Sequence, residues 1–492
     1  GWYDGGTGTY TITTAAGLRG LSDLSETKNF VGSTIQLGAD ITLNEGILDP
    51  AGTAADWQSV YSKWNAWTPI GRSNPFAGTF DGQGHTISGI YVSITQSGNA
   101  YAGLFGQTSN ATIQNLRLKN SYIYADTYFV GGIVGRGSGT FDTIYSDAIV
   151  TADVSVVGGL IGLFNGNSTV NNCWFAGKVN QSNKGDEAGG IVGSVEAKLI
   201  IGNCLNTGSI SGKTYVAGLI GRVRAAGNVT LMNCLNVGSV SGNQDVANII
   251  GTNAGTAKIA NSYGVSDYTI GNGTITQTGN STYAKTEIQG DKAFVMTGLD
   301  FTDYWVAKEG ITPELRSFTS ETEILPTPAT QVYTGWYDGG TGTYTITTAA
   351  GLRGLSELSA TTNFYGATIK LGNDIKLNKG TLDPNGKKAD WNETIKDWTK
   401  GTPIGQSKLF NGTFDGQGHT IHGVYVTDTK ATTENSFAGL FAQTNVNAVI
   451  QDLRVEDSYI QGGGYYVGSI AGYSAGTQYT TVYSCAIVKG GS

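Results

Sequence analysis

Three histidines, four cysteines and a scatter of carboxylates are the side chains of this 492-residue chain that could do chemistry. Zinc-peptidase chemistry needs two histidines one helical turn apart with a glutamate base between them. The histidines are His85, His419 and His422, and HTIH at 419–422 has neither that spacing nor the glutamate. His85 and His419 each follow a DGQG turn, which reads as packing beside a glycine corner. A serine or cysteine nucleophile needs an imidazole or amine partner, and the cysteine-bearing stretch 173–234 holds no histidine. Cys173, Cys204 and Cys234 lie 31 and 30 residues apart, which is no zinc-ligand spacing.

Glycoside chemistry would need paired acids converging on one face. Asp126, Asp153, Asp186, Glu187 and Asp245 each fall three to six residues before a recurring glycine tetrad. Stacked along one edge they would form an acidic ridge. Such a ridge could take up Ca²⁺ through carboxylate and carbonyl oxygens, although a solvated turn is the expected role. Ca²⁺ is thus the one cofactor candidate, and no catalytic residue is expected. Arg222 and Arg224 come nearest to a basic cluster for an acidic sugar.

The elements that position these residues are repeats. Residues 1–22 recur identically at 335–356, and GTFDGQGHTI at 78–87 recurs at 412–421. A shorter period lies inside each copy: GLFG (103–106), GIVG (132–135), GLIG (159–162), GIVG (190–193), GLIG (218–221) and NIIG (248–251), spaced 29, 27, 31, 28 and 30 residues apart. In the second copy GLFA (439–442) and SIAG (469–472) are 30 apart. Each tetrad is followed by a second recurring element. Aligned on it, Asn115, Ser146, Asn172, Asn203, Asn233 and Asn261 share one repeat position, and Leu116, Asp147, Cys173, Cys204, Cys234 and Ser262 the next. Cys485 matches Asp147.

A repeat of about 29 residues with two or three short strands cannot bury its own apolar face, so it must stack on its neighbours. The expected fold is therefore all-β, a parallel β-helix, and crossover chirality favours a right-handed one. In-register stacking would place the asparagines about 4.8 Å apart as a hydrogen-bonded ladder. The same stacking makes the cysteines a buried, reduced column of small hydrophobes. Thr14 is the expected N-cap of a short helix carrying Leu18, Leu21 and Leu24, which would cap the first coil. The expected organisation is a first unit over 1–318 with repeat coils at about 100–265, a linker over 319–334, and a second, incomplete unit over 335–492.

Composition narrows the classes. Charged residues are only 14%, glycine is 74 of 492, and 39% of residues are apolar, which suits a folded chain. A net charge of −8 argues against a nucleic-acid partner. No run of about 18 apolar residues suggests a membrane span. Trp57, Trp64 and Trp67 could stack on sugars, but packing under the cap is expected.

The tetrads, with WTPIG (67–71) and FAGTFDGQGHTISGIYV (76–92) leading in, resemble the GLUG repeats of secreted and cell-surface bacterial proteins. Similar segments occur in bacterial adhesins and in the stalks of IgA-protease-like surface proteins. The resemblance covers most of 30–318 and 364–492. It implies a β-helix displayed outside a bacterial cell as a spacer or binding surface, and no shared catalytic residues. The expectation is a non-enzymatic extracellular scaffold or adhesin, with a carbohydrate-binding or carbohydrate-active β-helix as the alternative. Expected partners are neighbouring repeat units, other copies of the chain, and host or cell-surface glycans and proteins. Its end at Ser492 suggests excision from a longer array, or else a subunit stacking head to tail into a filament.

Overall fold

The computed structural model describes residues 2–46, 48, 59–95, 101–126, 128–153, 156–182, 184–265, 270–274, 276–278, 281–320, 322, 324–325, 327–382, 388–428 and 437–490. The chain divides into two compact units, one of 1–293 with 304–325 and one of 294–303 with 326–492. The segment expected as a linker is thus shared between the units.

The first unit is a parallel β-solenoid. Along its longest face the strands Thr9–Ile12, Thr34–Leu37, Thr79–Asp81, Ala111–Lys119, Val134–Ser146, Ile161–Asn171, Lys198–Gly202, Asn228–Met232, Thr256–Ala260 and Thr276–Thr278 pair in succession, each parallel to the next. Two further six-stranded faces run alongside, from Tyr91–Ile94 to Val240–Ser241 and from Tyr101–Ala102 to Gln244–Ala247. In the second unit Thr343–Ile346, Thr368–Leu371, Thr413–Asp415, Val449–Gly462 and Gln478–Lys489 stack the same way.

Side chains that repeat every coil become columns. Phe80, Ile113, Phe141, Val170, Ile201, Leu231 and Ile259 are in register and at most 1% exposed. At roughly 1.5–3 kcal/mol for each fully buried large apolar side chain, such columns are the main force holding coil to coil.

The tetrads are explained by backbone crowding. A Cβ on Gly162 would lie 2.4 Å from the Gly135 carbonyl, and one on Gly218 would lie 2.2 Å from the Asn236 side chain. Neither site admits a side chain without moving a neighbouring coil. The tetrad's middle residues, such as Leu219 and Ile220, are fully buried.

Helix α1 (Ala15–Ser25) begins as expected, with Thr14 Oγ1 accepting from the Gly17 N–H at 3.1 Å and Leu18 and Leu21 fully buried. Helix α2 (Ala349–Leu358) repeats it with Thr348 as cap. A further helix, α3 (Lys388–Ile395), was not foreseen. Its sequence is largely polar, and its anchors Trp391 and Ile395 pack against a cluster of Leu382, Trp398, Tyr459 and Ile487 brought from elsewhere.

Candidate functional site

The asparagine column is first a backbone feature. Asn115, Thr143, Asn172, Asn203, Asn233 and Asn261 follow residues paired in register across successive coils, and their φ angles are 52, 55, 52, 50, 58 and 50°. That is the left-handed region, which costs other L-residues roughly 1–2 kcal/mol and which asparagine tolerates. The sequence alignment placed Ser146 here; the structure puts Thr143 in the column and pairs Ser146 with Phe175. Ile144, and not Asp147, therefore stands in the cysteine column. A register shift between Gly137 and Gly139 leaves this coil two residues shorter than the next ahead of the corner.

The column's amides reach back one coil. Asn115 Nδ2 donates to Asp81 Oδ1 at 3.0 Å, Asn172 Nδ2 to Thr143 Oγ1 at 3.0 Å, and Asn203 Nδ2 to Asn171 Oδ1 at 3.1 Å. Asn172 also donates to Ser317 Oγ at 2.7 Å. A second amide run, which the sequence reading missed, lies deeper. Asn206 Nδ2 donates to Asn236 Oδ1 at 2.7 Å, and Asn236 Nδ2 to Asn248 Oδ1 at 2.9 Å, with Asn206 and Asn236 both 0% exposed. The repeated CLN at 204–206 and 234–236 was the signal for it.

Cys173, Cys204 and Cys234 are free thiols, all fully buried. Their Sγ–H groups donate to the carbonyls of Asn171, Gly202 and Met232 at 3.1, 3.1 and 3.2 Å. Burial pushes the Cys173 and Cys204 thiols well above the ordinary range, which removes the thiolate needed for nucleophilic work. Cys485 is free and half-buried.

The five acids do not gather on one edge. Asp126 and Asp153 follow strands paired Ala125 to Ala152, so they are neighbours on adjacent coils, and Tyr124 Oη donates to Asp153 Oδ2 at 3.0 Å. The same column continues as Ser182, because Ala152 pairs with Gln181. Glu187 and Asp245 occupy a different column with Tyr215 between them. Asp186 points into solvent. A loop of different length before each tetrad shifts the acid from one column to another. Among the described residues no group of three or more His, Cys, Asp or Glu is arranged to hold a metal ion.

Glu187 instead sits in a charge cluster, only 4% exposed. Arg222 Nη1 donates to Glu187 Oε1 at 3.0 Å and Arg224 Nη2 to Oε2 at 2.9 Å, while Arg224 also pairs with Glu196. The Arg222 guanidinium lies 4.9 Å over the Tyr215 ring. Burial by itself would lower the Arg224 pKa, but the two carboxylates outweigh it and raise it. The arginines singled out as a basic cluster are therefore engaged by acids from neighbouring coils.

The histidines bridge coils too. His85 Nδ1 lies 3.1 Å from Asp40 Oδ1, His419 Nδ1 3.2 Å from Asp374 Oδ1, and His422 Nδ1 3.2 Å from Asp457 Oδ2. Asp40 and Asp374 are held below the usual carboxylate range, chiefly by the backbone N–H groups of Thr86 and Thr420. Trp64 and Trp67 are buried, their indole N–H groups donating to the Glu45 and Leu104 carbonyls at 2.6 and 3.1 Å. Trp57 lies outside the described residues. In the second unit an apolar cleft of about 200 Å³ opens between α2 and the 399–404 loop, lined by Val332, Leu352, Arg353, Pro403 and Tyr425.

Fold and site together define a parallel β-solenoid repeat protein whose polar residues join coil to coil. No family model matches the chain. A stretch of 166 residues, 33% of the chain, is 30% identical to Halomucin of Haloquadratum walsbyi, of whose length the chain covers 2%. A crystal structure from Bacteroides ovatus, provisionally described as an immunoglobulin A1 protease, aligns with a TM-score of 0.41 and 18% identity, covering 65% of this chain and 96% of that one.

Proposed function

We propose that this chain is a non-enzymatic extracellular repeat scaffold of the adhesin type, displayed on a bacterial surface and able to join other units end to end. The observation that carries this reading is the commitment of its reactive groups to structure: Glu187 is clamped by two arginines, each histidine is paired with an aspartate, and the column thiols are sealed inside. A group held this way stiffens a coil and is not poised for a substrate. A solenoid also gains length one coil at a time without needing a new core, which suits a spacer. The likeness to Halomucin, whose name marks that relative as mucin-like, supports an extracellular placement.

Incubation with a panel of neutral and acidic polysaccharides tests the non-enzymatic part. Release of reducing or unsaturated sugar ends overturns it. Immunolabelling of intact cells tests placement; labelling only after permeabilisation overturns the surface assignment. No cofactor belongs to this reading, so melting temperature is expected to be the same in EDTA and in millimolar Ca²⁺.

A further inference from the structure

WTPIG at 67–71 becomes GTPIG at 401–405 in the second copy, so Gly401 stands where the first unit has Trp67. Trp67 belongs to the core of its unit and is 4% exposed. The backbone around the exchange is kept. The Trp67 N–H donates to the Tyr91 carbonyl at 2.6 Å, and the Gly401 N–H to the Tyr425 carbonyl at 2.7 Å. The Ile70 N–H reaches the Leu104 carbonyl at 3.0 Å, and the Ile404 N–H reaches that of Leu440 at 2.9 Å. Ser22 and Ser356 each donate to the following loop, at the Thr68 and Thr402 carbonyls, at 2.6 Å.

What the second unit lacks is the indole ring. The cleft of about 200 Å³ beside α2 is lined by Gly401 itself, with Leu352, Pro403, Val424, Tyr425 and Leu440. The first copy has Leu18, Pro69, Ile90, Tyr91 and Leu104 at the matching places, so the wall residues differ by a single methylene. Leu104 and Ile90 are 0% exposed, whereas Leu440 and Val424 are 5 and 3% exposed, as follows when a covering ring is withdrawn. Glycine is not demanded here by the backbone. Its φ lies outside the left-handed region, and a Cβ would meet only the Tyr425 carbonyl oxygen, at 3.6 Å.

Interiors hold few voids larger than a water molecule, and an apolar cavity of about 150 Å³ stays dry and takes up benzene. One polar group gives this cleft direction. The Leu104 carbonyl accepts both the Ile70 N–H and Trp67 Nε1–H, the latter at 3.1 Å. The Leu440 carbonyl keeps the Ile404 N–H, and among the described residues no second donor reaches it. We propose that the cleft at Gly401 binds a flat bicyclic aromatic small molecule of the indole class. Its ring takes the place that the Trp67 side chain takes in the first unit, and its ring N–H donates to the Leu440 carbonyl. The site stands independently of the scaffold reading, because it needs only the second unit's own residues.

The test is calorimetric titration of the full chain with indole, and with benzothiophene, which has the same shape and no N–H. Indole is expected to bind, and benzothiophene to bind roughly threefold to tenfold more weakly for want of the hydrogen bond. Gly401→Trp, which restores the first unit's own residue, is expected to weaken indole binding by at least tenfold while circular dichroism stays that of the parent. In the parent chain with labelled methyl groups, bound indole is expected to show nuclear Overhauser contacts to Leu440 and Val424, a readout that needs no variant. Absence of indole binding, equal binding of benzothiophene, binding that survives in folded Gly401→Trp, or bound indole without contacts to those methyls overturns the proposal.

Discussion

Asp147 shows at the scale of one residue how burial and hydrogen bonding compete. Its carboxyl accepts from the Asn120 N–H at 2.8 Å, yet burial dominates and raises its pKa from the ordinary 3.8. The folded state therefore holds the proton more tightly than the unfolded state, so ionisation penalises folding once pH rises above about 4. Asp147→Asn keeps an acceptor and removes the charge. It is expected to stabilise by up to about 1 kcal/mol at pH 7, with the gain vanishing as pH falls below about 4. Thermal melts of both proteins from pH 3 to 8 check this. The thiols make a second residue-scale prediction: with iodoacetamide at pH 8, native protein is expected to be alkylated at Cys485 and spared at Cys173, Cys204 and Cys234, as read by peptide mass spectrometry. Modification of the three before unfolding would contradict their sealed placement.

At the scale of the element, the corner between two strands separates backbone need from side-chain bonding. Asn203 has φ of 50° and donates to Asn171. If the left-handed backbone dominates, Asn203→Gly is close to neutral while Asn203→Ala costs about 1–2 kcal/mol. If the amide bond dominates, the two cost alike. Urea melts of both variants decide it. The tetrad glycine is less forgiving. At Gly218 a Cβ would meet the Asn236 amide at 2.2 Å and the Asn248 carbonyl at 2.5 Å, so Gly218→Ala is expected to cost about 3 kcal/mol by overpacking and to break the deeper amide run. Gly84, with nothing within 4 Å of its Cβ, is the control, because alanine there meets only the unfavourable φ of +79°.

At the scale of the whole molecule, each unit is a stack in which a coil touches mainly its neighbours. Val134 pairs with Ile161 one coil on, so deleting 134–160 removes one coil and leaves equivalent residues to meet. Such a solenoid is expected to refold with one coil fewer and only a modest fall in melting temperature. Deleting 134–146 removes half a coil, ends the register, and is expected to leave insoluble or protease-sensitive protein. Circular dichroism and limited proteolysis distinguish the two. If both deletions behave alike, the coil is not the unit of stability.

The parallel solenoid was legible from the chain alone because its cause is counted along the chain. A tetrad returning every 27–31 residues, with small residues at fixed places, forces stacking whatever the details, and Thr14 with its leucines spells out a capped helix. The corner column was legible where its residue is asparagine, Asn233 included despite its longer stretch from the tetrad, and was missed where the corner is Thr143. The register shift at Gly137 and Gly139 moved Thr143, not Ser146, into the corner column, and unequal loops split the five acids between columns. Partners across coils are chosen by hydrogen-bond register and not by residue type. That is why the Glu187 clamp, the Asn206–Asn236–Asn248 run and the anchoring of α3 emerged only in three dimensions. The two copies of one 22-residue sequence make the same point most sharply. The first turns of the helix are local and alike in both, while the burial of Ala350 and Gly354 in the second is set by the Tyr333–Thr334 backbone that the tertiary structure lays against them.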